Sequence, residues 1–329
     1  MRLCARILTR QNRQSNLFRQ AKPLSTPNRR TVSTSTSTVG LTDPHAYCRD
    51  LVRKHDYDSY LNSFFYPSET WNVFFAVKAF SVELATIQDS VSNAAIGRMR
   101  MQFWRDAVKG ISDDRPPKHP VALALHETSK RHKIPAYHLK RIVDARDAEL
   151  SNPGHMTVDS LTAHAESTSS TVLYILLSIL SLSASSAYSH AASHLGAAQT
   201  FSTLLRALPY HAKQRHLVIP AEITSKHKTV QEEVFRYGPE ANGIEDAVFD
   251  FATLAHDHLV TARSMLVNEE GTNGKIPKEA MPVFVAAVPV SNYLKRLEQS
   301  GFNAFDPKLQ RRDGWLPLQM WRQNFRRTF

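Results

Sequence analysis

The chain has 329 residues, 42% of them hydrophobic, and this composition excludes a collagen, a disulfide miniprotein and a wholly disordered protein. Its formal charge of +11 is concentrated in the first forty residues, which hold seven Arg, one Lys and no acid. Of the 41 basic residues, the 33 that follow face 30 acids, too even a balance for a phosphate-backbone footprint, so nucleic acid is not an expected partner.

Residues 1–40 space Arg2, Arg6, Arg10 and Arg13 at helical intervals among Leu3, Ile7, Leu8, Leu17 and Phe18, and continue into a Ser/Thr run over 31–38. An Arg-rich, Ser-rich, acid-free leader predicts a mitochondrial presequence, disordered or cleaved, with processing near Arg29 or Arg30. Only Cys4 and Cys48 are present, so a processed chain forms no internal disulfide, which suits a reducing compartment. One thiol assembles neither a zinc nor an iron–sulfur site.

Beyond the leader, apolar residues recur at helical spacing nearly everywhere and period-two alternation is absent, which predicts an all-α fold. Asp43-Pro44 opens a first helix running to about residue 65, where Tyr66-Pro67-Ser68 breaks it. Further helices are predicted over 69–90, 94–109, 121–132, 135–151, 158–182, 190–208, 229–237, 244–268, 278–288 and 291–300. Residues 269–275 (EEGTNGK) read as a loop. The apolar run 171–182 is about a dozen residues, short of the roughly 20 that span a bilayer, and reads as a buried helix. No linker divides the body, so one domain is expected over 41–305. An irregular tail follows over 306–329, with Trp315, Trp321, Phe325 and Phe329 interleaved with Arg311, Arg312, Arg322, Arg326 and Arg327. It forms either a basic aromatic foot for a membrane surface or a segment docked back on the body.

Several constellations fall short of a site. Asp246 and Asp250 lie one turn apart at the start of a helix, where the helix dipole favours acids without any ion. Asp144 and Asp147 alternate with Arg141 and Arg146, as on a salt-bridged face. His190 and His194 have metalloprotease spacing without the intervening Glu or a third ligand, and read as surface or capping residues. His256 and His258 point apart on a helix. Met99, Met101, Phe103 and Trp104 read as helix packing. No nucleophile elbow, Walker loop or dinucleotide fingerprint occurs.

The order of AFSVELATIQDSVS from Ala79, IGRMRMQFWRDAV from Ile96, HAASHLGAAQ from His190, LLRALPYHA from Leu204 and LVIP from Leu217 resembles the squalene/phytoene synthase superfamily. The similarity is closest to its mitochondrial branch, the complex I assembly factor 6 family. The resemblance implies an isoprenoid-synthase-like helical bundle. Active members hold magnesium against a prenyl diphosphate through two aspartate-rich motifs on facing helices. The first maps onto Ala85 to Asp89, where one carboxylate survives, and the second onto Ala207 to His211, which has none. Glu83 cannot replace the missing ligand, because six residues on a helix place it and Asp89 on different faces. Imidazole at His211 suits magnesium poorly.

The resemblance therefore implies no catalytic residue, no metal and no cofactor, with Asp89, Arg100, Gln199, Arg206 and Tyr210 as a candidate residual pocket. Arg206 either holds a diphosphate or acidic headgroup or sits in an ion pair. The implied role is non-catalytic assembly of respiratory complex I at the matrix side of the mitochondrial inner membrane, held there peripherally. Complex I subunits or other assembly factors are the implied partners. Two rivals remain open: a prenyltransferase recruiting Asp246 and Asp250, and an isoprenoid or lipid carrier.

Overall fold

The computed structural model describes residues 43–91, 93–267 and 275–329, all within one compact unit. The leader expected over 1–40, and all but the last residue of the loop expected over 269–275, lie outside the described residues. Among the described residues there are helices and turns and no strand. In chain order the helices are α1 (Pro44–His55), α2 (Tyr57–Asn62), α3 (Trp71–Ser90), α4 (Ala94–Ser112) and α5 (Pro120–Ser129). They continue with α6 (Ala136–Ser151), α7 (Val158–Ala165), α8 (Thr171–Ile179), α9 (Ser186–Lys213) and α10 (Ala221–Lys226). The last are α11 (Gln231–Tyr237), α12 (Ile244–Val267), α13 (Met281–Phe284), α14 (Ala287–Gln299) and α15 (Leu316–Arg326).

Helix α1 starts as its sequence dictates: Pro44 occupies the first turn, and Asp43 Oδ1 accepts from the Ala46 amide at 2.9 Å. It does not run on to residue 65. Asp56 Oδ1 accepts from the Ser59 amide at 3.1 Å and so caps a separate helix, α2. Helix α3 is apolar on nearly every side, from Val73 to Ile87, and occupies the centre, touching α1, α5, α6 and α8. The core around it includes the fully buried Phe74, Phe80, Phe201, Phe251 and Phe284.

Two departures from the sequence reading shape the site. Helix α9 continues through Pro209 to Lys213, because Leu205, Leu208 and Ala212 stay buried across the proline and their packing offsets the lost backbone bond. The helix expected over 158–182 is interrupted by a π turn at Glu166–Ser170, where α9 crosses. Gly196 permits that crossing: a Cβ there would lie 2.5 Å from the Ser170 amide nitrogen and 2.6 Å from its Cα. The longest helix pairing runs between α9 and α12.

Helix α4 corrects the packing assigned to its four large side chains. Met101 and Trp104 are buried, three residues apart on one face, while Met99 and Phe103 project from the other. The tail is also more ordered than expected. Helix α15 docks against the body through Leu316 and Met320, with Leu309 and Phe329 buried beside it.

Candidate functional site

A cavity of about 370 Å³ opens between α2, α3, α6, α7 and α9. Helix α3 presents Lys78, Ser81, Ala85, Gln88 and Asp89 to it, a spacing of three and four residues that defines one helical stripe. Facing it, α9 contributes Gln199, Thr203, Arg206, Ala207 and His211. The positions that the resemblance maps to the two motifs, Ala85 with Asp89 and Ala207 with His211, line one space from opposite helices. Gln199 and Arg206 line it too, and Gln199 Nε2 donates to the Ala286 carbonyl at 3.3 Å.

Arg100 and Tyr210 stand outside this lining. Helix α4 packs mainly on α6 and α5, and the exposed Arg100 donates from Nη1 to Ser90 Oγ at 2.8 Å. Tyr210 is half exposed, with its ring edge-on to His211. Glu83 turns away from the cavity and accepts from Tyr47 Oη at 3.2 Å, and burial raises its pKa.

Four carboxylates line the cavity, and three have a base beside them. Asp58 Oδ2 accepts from Arg206 Nη1 at 2.9 Å in a half-exposed ion pair at the cavity wall. Lys78 Nζ is 3.8 Å from Asp56 Oδ2. Arg146 Nη1 donates to Glu149 Oε2 at 2.7 Å, and His164 Nε2 lies 3.7 Å from the same oxygen. Burial by itself would raise the Glu149 carboxyl, but Arg146 and His164 hold it below its usual range. Asp89, at the exposed end of α3, has no ion-pair partner among the described residues.

Sequence reasoning missed the histidines around His211. His155 and His216 come from connecting segments and His164 from α7, and all three line the cavity. His155 packs on His164 and His211 on His216, with ring centroids 5.3 and 5.6 Å apart. His216 Nε2 donates to the Pro153 carbonyl at 2.9 Å. Burial lowers the pKa of His155 and His211 and pushes His164 down to about 4, so these rings are neutral at pH 7. Asp89 pulls His211 the other way without overcoming burial.

This donor set fits magnesium poorly. The ion needs several free hard oxygens in octahedral array, whereas three of the four carboxylates here are matched to fixed cations and His155, His164, His211 and His216 contribute imidazole instead. Among the described residues, no group of three or more His, Cys, Asp and Glu side chains is placed to share an ion.

The other constellations resolve into structural contacts. Asp250 accepts from Lys226 Nζ at 2.6 Å and His227 Nε2 at 2.7 Å, and these bonds lower its pKa; neither it nor the exposed Asp246 lines the cavity. Arg105 of α4 bridges Asp144 and Asp147 of α6 at 2.9 and 2.7 Å. His190 is exposed, as expected of a surface residue, but His194 is not one: its Nδ1 lies 2.8 Å from Nδ1 of His258 in a hydrogen bond between α9 and α12.

The squalene/phytoene synthase family profile matches residues 52–322. A rat protein named NADH dehydrogenase (ubiquinone) complex I, assembly factor 6, is 40% identical over 301 residues, covering 92% of this chain and 87% of its own. The human protein of that name is 40% identical over 283 residues, with coverage of 86% and 82%. Among solved structures, a dehydrosqualene synthase in complex with ligand superposes with a TM-score of 0.73 at 15% identity, over 88% of this chain and 98% of its own. Squalene synthase HpnC from Alicyclobacillus acidocaldarius gives 0.68 at 14% identity, with coverage of 81% and 97%. At such identities the structural likeness establishes the all-α fold alone.

Proposed function

Because the chain belongs to the squalene/phytoene synthase family, we propose that it is a non-catalytic assembly factor for respiratory complex I, NADH:ubiquinone oxidoreductase. It works in mitochondria, peripheral to the matrix side of the inner membrane, with complex I subunits or other assembly factors as partners. The assembly role rests on the name its near-full-length relatives carry. The leader composition supports the location.

The observation that carries the non-catalytic reading is the charge pairing of the cavity. Ionising an allylic diphosphate requires cations held by free carboxylates, and Asp56, Asp58 and Glu149 each face a lysine or arginine. Residues 85 and 207, the positions that the resemblance maps onto the family's aspartates, are alanine, which supports the same reading. The retained cavity favours one second reading, a carrier that binds an isoprenoid or lipid without turnover.

Deletion of the gene followed by native-gel profiling of respiratory complexes tests the assignment. Selective loss of complex I is the expected result. Normal complex I with altered isoprenoids would reject assembly in favour of prenyl chemistry. Isoprenoid co-purified with the protein and lost on Arg206→Ala would identify the carrier.

A further inference from the structure

Helix α15 has two apolar faces, and only one is used by the fold. Leu316 and Met320 point inward and are buried. On the outer side Trp315 is 70% exposed, Leu318 51%, Trp321 57% and Phe325 77%, and positions 318, 321 and 325 fall on one stripe. The rings of Trp321 and Phe325 are stacked with centroids 5.8 Å apart, which makes them one continuous patch. Four large apolar side chains held in water within eleven residues are far more than the scattered exposure expected of a soluble surface.

A second feature lies against this helix. A groove of about 480 Å³ runs between α14 and α15, with Lys295, Arg296 and Arg322 against the single acid Asp313. Arg296 is committed to the carbonyls of Arg311 and Lys308. Lys295 and Arg322 have no carboxylate partner among the described residues. Arg322 borders both groove and aromatic stripe, and the exposed Arg326 continues the basic margin.

We propose that α15 and this groove form a docking site for an anionic phospholipid surface. Trp315, Leu318, Trp321 and Phe325 enter the interfacial layer, while Lys295 and Arg322 take a lipid phosphate. The proposal rests on the peripheral membrane reading given above and assigns it a surface. Charge complementarity selects the occupant: an apolar stripe edged by unpaired cations matches a bilayer with negative headgroups, where Trp settles at the interface and Arg at the phosphates. At eleven residues α15 is about 16 Å long, too short to cross a hydrocarbon core of about 30 Å, so it lies in the membrane plane.

The test is flotation of the full chain with phosphatidylcholine vesicles, with and without phosphatidylglycerol. Wild type is expected to float with the anionic vesicles in a salt-sensitive manner. Trp321→Ala/Phe325→Ala should lower the partition coefficient roughly 10- to 100-fold, since each exposed ring gains on the order of a tenfold factor on burial. Lys295→Glu/Arg322→Glu should lower it roughly tenfold or more on anionic vesicles and leave binding to neutral ones unchanged. Melting temperatures should not move, because none of these side chains holds the core.

Wild type floating while both variants float equally well would overturn this assignment and leave peripheral attachment standing. Wild type that binds neither these vesicles nor mitochondrial membranes would overturn the peripheral reading itself. Binding only to mitochondrial membranes, and lost when their surface proteins are shaved by protease, would mean that the stripe docks a protein, and the proposal would be wrong.

Discussion

Replacing Arg146 by methionine keeps most of the side-chain stem and removes the charge that neutralises Glu149. The two side chains are 20% and 16% exposed and meet at 2.7 Å, so most of the hydration of either ion is already lost. Removing one partner of a fully buried pair costs about 3–5 kcal/mol; partial exposure here reduces that to roughly 2–4 kcal/mol. Glu149→Gln, which strands Arg146, should cost a similar amount. The double variant leaves no unpaired ion and should lie within about 1–2 kcal/mol of wild type, a coupling of roughly 2 kcal/mol or more. Urea unfolding at pH 7, followed by tryptophan fluorescence, measures all four proteins, with Trp104 buried near the core. The sign with pH is fixed: a carboxyl held below its ordinary value contributes above about 4.5 and loses that contribution on acidification. Arg146→Met should flatten this acid limb. Single variants costing under about 0.5 kcal/mol, with an additive double, would refute the reasoning, because Glu149 would then not depend on Arg146 and would be free to hold an ion.

Gly196→Ala should destabilise by about 1–3 kcal/mol despite the better helix propensity of alanine, because the added methyl meets backbone of the π turn rather than a flexible side chain; Gly154→Ala, with nothing within 4 Å, serves as the neutral control in the same unfolding assay. Stability should also fall as pH drops below about 6.5. His155, His164, His194, His211 and His258 have pKa values lowered by burial, so the unfolded chain takes up more protons there. His164 alone, displaced from 6.5 to about 4, accounts for roughly 3 kcal/mol between those limits, and His164→Asn should shrink the fall in melting temperature between pH 7.5 and 5.5. An unchanged pH profile in that variant would mean the ring is solvated.

Much of the fold was legible because it depends on local chemistry. Three-four periodicity marks α3, α6, α9 and α12, and Asp43-Pro44 fixes the start of α1 to the residue. What failed locally did so for identifiable reasons. Asp56 looks like one more polar residue on a helix, yet its side chain ends α1 and starts α2. Pro209 reads as a stop, but burial of Leu208 and Ala212 carries α9 past it. At the site, the resemblance singles out Ala85 with Asp89 and Ala207 with His211, which the structure places around one cavity, whereas the partners of the nearby charges could not be read from the sequence. Asp58 and Arg206 are 148 residues apart in sequence, and His194 and His258 are 64 apart. The histidines beside His211 arrive on segments 152–157 and 214–220, where no periodic pattern announces which way a side chain points. The tail over 306–329 reads as irregular in the sequence, with a membrane foot and a docked segment as alternatives; the structure instead builds a helix there, which buries Leu316 and Met320 against the body and leaves Trp321 and Phe325 in solvent.

The claim that three of the cavity's four carboxylates are already neutralised, leaving too few to hold magnesium, is tested most directly by incubating the purified protein with magnesium and farnesyl or geranylgeranyl diphosphate and measuring pyrophosphate release. The expected result is no release above that of the heat-denatured protein, and no change on Asp89→Ala, Asp246→Ala or Asp250→Ala. Magnesium-dependent release that any of these substitutions abolishes would contradict it.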